Sequence, residues 1–379
     1  MEKIWLSLAK MSGKEEAYIR EAFETNWVTP LGPNVDGFES DINSWLTHQG
    51  CPDAHVTALA SGTSAIHLAL VMLNIGRGDE VICQSFTFAA SANPICYVGA
   101  TPVFVDSEPG TWNIDPDLLE EAIVDRKKKT GKLPRAIIAV HLFGTPACMN
   151  RITEIARRYE IPLIEDAAEA MGSIYDGKPC GTIGDYGIFS FNGNKMITTS
   201  GGGALISHNK ADADKAKFYA TQAREPFPYY QHEKIGYNYR MSNISAGIGR
   251  GQMHILDNHI ARRRVNHNLY VEKFKDIAGI TVKEPQGDAT MLPNYWLTCI
   301  EIDNTIAGTT RDELSAKLAA ANIESRPLWK PMHMQPVFAE APAYTNGTSE
   351  KAFEQGLCLP SGPVVTDDDI DYIINTIKK

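Results

Sequence analysis

Lys195 closes the run Ser190–Phe191–Asn192–Gly193–Asn194–Lys195 and precedes Ile197–Thr198–Thr199–Ser200–Gly201–Gly202–Gly203. Most lysines are solvated surface charges. An amine held at the end of a sheet strand beside a cationic ring has a lowered pKa and turns nucleophilic toward carbonyls. The triple glycine suits close backbone approach, and equally a flexible turn. Asp166 ends the apolar run Ile161–Pro162–Leu163–Ile164–Glu165. A carboxylate there holds a proton on a heterocyclic nitrogen, or caps a helix beginning at Ala167–Ala168–Glu169–Ala170. Ser61–Gly62–Thr63–Ser64 lies between an apolar run and a helical one, the setting of a phosphate cup at a helix N-terminus and also of a plain Ser/Thr N-cap. Phe88, in Ser85–Phe86–Thr87–Phe88, offers a ring for stacking on a planar group, or for the core. In Gly236–Tyr237–Asn238–Tyr239–Arg240, Asn238 and Arg240 could reach an anion or cap a junction.

Together these fittings meet one need. A phosphate cup, a carboxylate for a ring nitrogen, a stacking aromatic and a free amine are what pyridoxal 5′-phosphate (PLP) requires of its protein. The lysine forms a Schiff base and the protonated pyridine stabilises a carbanion. Once released, the same amine moves a proton between two carbons.

Ligands of open α/β sheets collect outside the carboxyl ends of the strands, so such a site demands a largely parallel sheet. The chain of 379 residues supplies the pattern. Strands are predicted at His55–Ala60, Glu80–Gln84, Thr101–Asp106, Ala136–Leu142, Ile161–Asp166, Asp185–Phe191 and Gly203–Ser207, interleaved with helices such as Ser64–Leu73 and Asp115–Val124. Seven short, nearly continuous apolar strands of this kind predict a mostly parallel sheet covered on both faces. After about residue 250 the pattern changes to a long, Arg-rich helix (Met253–Phe274) and then Gly279–Lys283, Tyr295–Ile302 and Leu314–Ala320. We therefore expect a large domain over residues 1–250, with an N-terminal arm, and a smaller α+β domain over 251–379. A helix is predicted at Glu15–Phe23, an extended arm or ligand loop at Asn26–Gly37, and surface loops at 285–294 and 341–348.

Composition excludes other classes. The net charge of −10 argues against a nucleic-acid binder with a broad basic face. No window approaches the ~20 uninterrupted apolar residues of a membrane helix. The first residues, Met1 to Gly13, have no long apolar core, so a secretory signal is not expected and the cytoplasm is. Seven cysteines, at 51, 83, 96, 148, 180, 299 and 358, show no CxxC pair, which argues against a structural zinc site or a disulfide framework. No metal is expected. A nucleotide-dependent Rossmann oxidoreductase would need GxGxxG after the first strand, where Ser61–Gly62–Thr63–Ser64–Ala65–Ile66 stands instead.

In order and spacing, the motifs around Ser61, Ser85, Glu165, Ser190, Gly201 and Gly236 resemble the DegT/StrS family of sugar-nucleotide aminotransferases, which are fold-type I PLP enzymes. The likeness runs from Leu6–Ser7 to Leu359–Pro360–Ser361. It implies that Lys195 is the Schiff-base lysine and that Asp166 pairs with the pyridine nitrogen. It places Glu169 near the 3-hydroxyl, where many members have Gln or His, and Phe88 on the ring. Gly62, Thr63, Ser64 and Ser190 are then phosphate ligands, joined by Asn238 from the neighbouring subunit of a homodimer with shared active sites. Members that dehydrate carry a histidine in place of this lysine, so the dehydratase reading loses.

Two further runs, Asn26–Trp27–Val28–Thr29–Pro30–Leu31–Gly32 and Arg326–Pro327–Leu328–Trp329–Lys330–Pro331–Met332–His333, resemble members that aminate C4 of UDP-linked 4-keto-6-deoxy-N-acetylhexosamines with glutamate as donor. That likeness implies substrate contacts from Asn26, Trp27, Val28, Thr29, Ser61, Asn192, Arg240, Arg326, Pro327, Leu328, Trp329 and His333, and a role in surface glycan or exopolysaccharide synthesis. The chemistry agrees, because Arg326 offers a fork for a diphosphate or carboxylate and Trp329 a flat apolar face. The alternatives are amination at C3, a PLP-binding regulatory protein of the same fold, and a lyase or desulfurase. The last would need a cysteine on a mobile loop, and none occupies an obvious one.

Overall fold

The computed structural model describes residues 2–287 and 289–379; Met1 of the predicted arm and Asp288 of the predicted 285–294 loop lie outside the described residues. Short aliphatic and β-branched runs become the strands β1 His55–Leu59, β2 Glu80–Gln84, β3 Thr101–Val105, β4 Ala136–Val140 and β5 Leu163–Asp166. A small hairpin follows (β6 Ile174–Tyr175, β7 Lys178–Pro179), then β8 Tyr186–Ser190 and β9 Gly203–Ser207. The C-terminal third adds β10 Ile280–Val282, β11 Met291–Leu292, β12 Thr298–Ile302, β13 Arg326–Pro327, β14 Ala343–Tyr344 and β15 Gly356–Leu359.

The main sheet runs β1-β9-β8-β5-β4-β2-β3-β14, parallel except that β9 opposes both of its neighbours. All seven predicted strands lie in it. It also has an eighth, because Ala343–Tyr344, assigned to a surface loop from its turn residues, pairs in parallel with Phe104–Val105. Its anchor is the Asp106 carboxylate, which accepts N–H groups from Asn346, Gly347 and Ser349. Alternate strand residues serve opposite faces. Ile82, Ile137 and Leu163 join one core, whereas Val81, Ile138 and Ile164 join the other. The fold is therefore α/β of the fold-type I kind, with helices on both sides.

Sequence and structure part at three further places. Asn26–Gly37 is not wholly extended, since Pro33 opens helix Pro33–His48, where a proline at the first turn costs no hydrogen bond. The 285–294 segment contributes β11, which pairs with β6. The long Arg-rich helix starts at Leu256 rather than Met253 and runs to Phe274, and a separate helix, Asn243–Met253, precedes it across His254–Ile255. Helix Asn243–Met253 packs against helices Glu15–Glu24 and Pro33–His48, and the sequence-based boundary at 250/251 runs through it. A second sheet, β10-β12-β15-β13, is antiparallel throughout and packs with helices Arg311–Ala320 and Asp367–Lys378 around Leu314, Ile300, Leu357 and Ile373. Among the described residues no helix is long and apolar enough to cross a membrane.

Helix Leu256–Phe274 looks solvent-facing in sequence yet buries His259, Arg263, Asn266, His267 and Tyr270. Burial pushes His259 down to about 4 and His267 down to about 3, from 6.5. The unfolded chain therefore takes up protons at a pH where the folded one does not. Stability should be full above about pH 6.5 and fall progressively toward pH 4 and below. Urea midpoints measured across that range would show the decline, and His267→Phe would reduce its slope. A midpoint flat between pH 7 and 4 would refute this.

Candidate active site

The carboxyl ends of β5 and β8, the N-terminus of helix Gly62–Met72 and the loop before β9 surround a cavity of about 590 Å³, a size that suits a small-molecule ligand. Ser61 caps that helix with a reciprocal box: its side chain accepts the Ser64 N–H, and the Ser64 hydroxyl accepts the Ser61 N–H at 3.0 Å. The first amides of a helix have no intrahelical acceptor. The box occupies only the third, leaving those of Gly62 and Thr63, which line the cavity. A Cβ on Gly62 would stand 3.2 Å from that of Ser190, and one on Gly203 would stand 2.3 Å from the Gly62 nitrogen. Side chains at either position would close the cup.

Asp166 sits at the end of β5, 5 % exposed, and no helix follows it, which removes the N-cap alternative. Its Oδ2 accepts the Ser91 hydroxyl at 2.6 Å, and Ser91 is in turn 2.7 Å from the Thr87 hydroxyl. Its Oδ1 accepts the Ala168 N–H at 3.2 Å. Alternation turns the preceding residue, Glu165, the other way. Glu165 accepts the N–H groups of Gly181, Ile183 and Gly184 and faces His141 Nε2 at 2.8 Å. Burial opposes its charge, but the His141 and backbone donors outweigh burial and hold the carboxyl below the usual range. His141 Nδ1 accepts the Ala147 N–H at 3.1 Å, so Nε2 carries the proton that faces Glu165. This buried knot fixes the end of β5 and with it the direction of Asp166.

Lys195 lies in the loop after β8, its Nζ 2.9 Å from Glu169 Oε1 and 4.1 Å from the centre of the Trp296 ring. Glu169 Oε2 accepts the Phe143 N–H at 2.8 Å. Burial pushes the Glu169 carboxyl up, against the pull of the Lys195 cation. Phe88 is not core. It is 58 % exposed at the cavity edge, 5.6 Å from Trp329. Trp329 also meets Phe143 at 5.0 Å and Trp296 at 6.3 Å, giving the cavity an aromatic wall. At the mouth, Arg326 is mostly exposed and bridges to Glu324 at 2.9 Å.

Of the residues singled out in the sequence, Ser61, Gly62, Thr63, Phe88, Asp166, Glu169, Ser190, Asn192, Lys195, Arg326, Pro327 and Trp329 share this cavity. Others do not line it. Ser64 is spent on its cap. Arg240 is buried against Glu39 and the Ala58 carbonyl, so its charge is already matched. His333 faces inward between the Ser85 hydroxyl at 2.7 Å and Glu350 at 3.0 Å, a strut fastening the Arg326–His333 segment to the end of β2. Leu328 belongs to the core. Asn26, Trp27, Val28 and Thr29 lie elsewhere, with the Trp27 and Thr29 carbonyls bonded to Asn243, and Asn238 bridges Thr221. Sequence reasoning missed Thr87, Ser91, Trp296 and the arm residues Trp5 to Leu8, all of which line the cavity. Hydroxyls three and seven residues past a strand end, and an arm remote in sequence, leave no periodic signal.

The model of the DegT/DnrJ/EryC1/StrS aminotransferase family matches residues 9–378. EpsN of Bacillus subtilis, whose name makes it a pyridoxal phosphate-dependent aminotransferase, is 47% identical over 380 residues, covering 99% of this chain and 95% of its own. GDP-perosamine synthase of Caulobacter vibrioides is 38% identical, covering 100% of this chain and 98% of its own. Among solved structures, Spr1654 of Streptococcus pneumoniae, described as a sugar aminotransferase, superimposes with a TM-score of 0.88 over 99% of this chain and 98% of that one, at 26% identity in its PLP form and 25% in its PMP form.

Proposed function

The chain belongs to the DegT/DnrJ/EryC1/StrS aminotransferase family, a family of PLP-dependent sugar aminotransferases, and from that premise we propose that it moves an amino group from glutamate to the C4 carbonyl of a nucleotide-linked 4-keto-6-deoxy sugar. One observation carries this reading: an amine (Lys195), a hydroxyl-bonded carboxylate (Asp166) and a helix N-terminus with two amides to spare (Gly62, Thr63) line a single cavity.

The donor set fits PLP. The amides of Gly62 and Thr63 with the Ser190 hydroxyl would hold the phosphate. Asp166 would hold a proton on the ring nitrogen, and Lys195 would carry the aldehyde carbon through Nζ. When bound, the cofactor supplies an electron sink for the charge left when a proton departs from carbon. The chain's own residues do the rest. Lys195 Nζ, freed, takes a proton from one carbon and returns it to another. Glu169, 2.9 Å away, receives or supports that proton. Phe88 and Trp329 exclude water from one side, and Trp296 lies against the amine. Arg326 at the mouth suits the diphosphate or the donor carboxylate.

For the sugar we propose the UDP-linked N-acetyl 4-keto hexosamine class. A GDP-linked 4-keto sugar is the second reading, favoured by the 38% identical relative named GDP-perosamine synthase. Incubation with glutamate and a panel of UDP-, GDP- and dTDP-linked 4-keto and 3-keto sugars, with mass detection of the amino sugar, decides between them. Product from a 3-keto sugar alone would overturn C4 specificity. Failure to convert glutamate to 2-oxoglutarate at all would favour a sensor.

We also propose a homodimer with shared sites. Trp27, Val28, Leu31, Phe227, Tyr229, Tyr230 and Ile235 are exposed apolar groups awaiting a cover, and Asn238 stands outside its own chain's cavity lining. Co-refolding inactive Lys195→Ala chains with Asn238→Ala chains should restore activity that neither variant has alone. Absence of any recovery would refute sharing.

A further inference from the structure

Arg263 is among the largest fully buried side chains, 1 % exposed, yet no carboxylate meets it among the described residues. Burial alone pushes its guanidinium down, and its Nε has no partner among the described residues. Burying an unpaired cation costs free energy that simple packing does not demand. What the fork does instead is join segments far apart in the chain. Nη1 donates to the Trp296 carbonyl at 2.5 Å and the Ser361 carbonyl at 3.3 Å, and Nη2 donates to the Ser7 hydroxyl at 3.0 Å.

Two of those partners converge again. The Ser7 hydroxyl donates to the Asn194 carbonyl at 2.8 Å, and the Trp296 indole N–H donates to the same oxygen at 2.7 Å. Asn194 immediately precedes Lys195, whose Nζ rests over the Trp296 ring. Nearer the start of the loop, Gly193 has open space around it and Asn192 is exposed, while the Lys195 N–H donates to the Asn192 carbonyl at 2.9 Å.

We propose that Arg263 is a positioning residue: by clamping Ser7 and Trp296 it fixes the Asn194 carbonyl, and so the place of the Lys195 amine in the cavity. The proposal rests on the reading of Lys195 given above. The guanidinium reaches these three acceptors from two nitrogens held apart in one plane, a span that the single nitrogen of a lysine does not cover in full.

Four variants test this. Trp296→Phe keeps the ring and removes one donor to Asn194; Ser7→Ala removes the other. Arg263→Lys keeps the charge without the fork, and Arg263→Met removes both. Amide exchange in cofactor-free protein is expected to quicken across residues 192–199 in every variant, while the thermal midpoint for Ser7→Ala stays near wild type. In PLP-loaded protein, the pH midpoint of the lysine-linked absorbance band should shift. The kcat should fall roughly 10- to 100-fold with KM for glutamate little changed, and Arg263→Lys should lie between Arg263→Met and wild type. If Arg263→Met does not fold, the Ser7 and Trp296 variants decide. Unchanged exchange and an unchanged band midpoint in those two overturn the clamp. A wild-type protein with no lysine-linked band overturns the reading of Lys195 instead.

Discussion

Lys195→Ala is expected to abolish turnover, lowering kcat by roughly 10³-fold or more, because it removes both a covalent anchor and the group that carries the proton. The phosphate cup at Gly62 and Thr63 does not depend on this side chain, so PLP should still bind, without its lysine-linked absorbance band. Borohydride treatment, which fixes the lysine-linked carbon on wild type, should label no peptide of the variant. The substitution also leaves Glu169 buried without its cation, so burial pushes the carboxyl up further. A small primary amine added to the solution should restore part of the proton transfer, since the cavity gains the volume of the lost side chain. A fully active variant, or labelling of a different lysine, would sink the assignment.

The parts of this site that the sequence disclosed are those whose chemistry depends on chain-adjacent geometry. Ser61–Gly62–Thr63–Ser64 follows a strand and opens a helix, so its turn is legible in place. Asp166 ends an apolar run, and Lys195 follows one. The strand pattern was equally plain where burial on both faces made it continuous, as in Ala136–Val140, every residue of which is buried. What could not be read was pairing at a distance. Ala343–Tyr344 is a strand only because Phe104 and Val105 leave an edge for it and Asp106 gathers the amides that follow. Helix Leu256–Phe274 looks solvent-facing because its buried partners are carbonyls at Trp296 and Ser361, invisible to any hydropathy count. Arg240 and His333 carry the residue types of ligand contacts, yet Glu39 and the Ser85–Glu350 pair had already claimed them. Charge type is legible in a sequence; prior commitment of that charge is a tertiary fact.

Asp166→Asn puts the electronic half of the mechanism to the test. An ionised carboxylate keeps the ring nitrogen protonated, and a protonated ring is the stronger electron sink. The substitution keeps size and most hydrogen bonding, since the amide oxygen still accepts the Ala168 N–H while the amide NH2 donates to the Ser91 oxygen, whose own proton turns to Thr87. It removes the charge and reverses one hydrogen bond. We expect the glutamate half-reaction to slow by about 10²-fold or more, the scale of losing one aligned electrostatic stabiliser, with melting temperature and PLP content close to wild type. Ser91→Ala should move in the same direction but less, because Asp166 keeps its charge and loses one of two donors. Lys195 remains in place in both variants, so the lysine-linked band persists, and its response to pH reports the altered ring. Rates equal to wild type in Asp166→Asn would mean that the ring nitrogen is bonded elsewhere and that the carboxylate at the end of β5 serves only the fold.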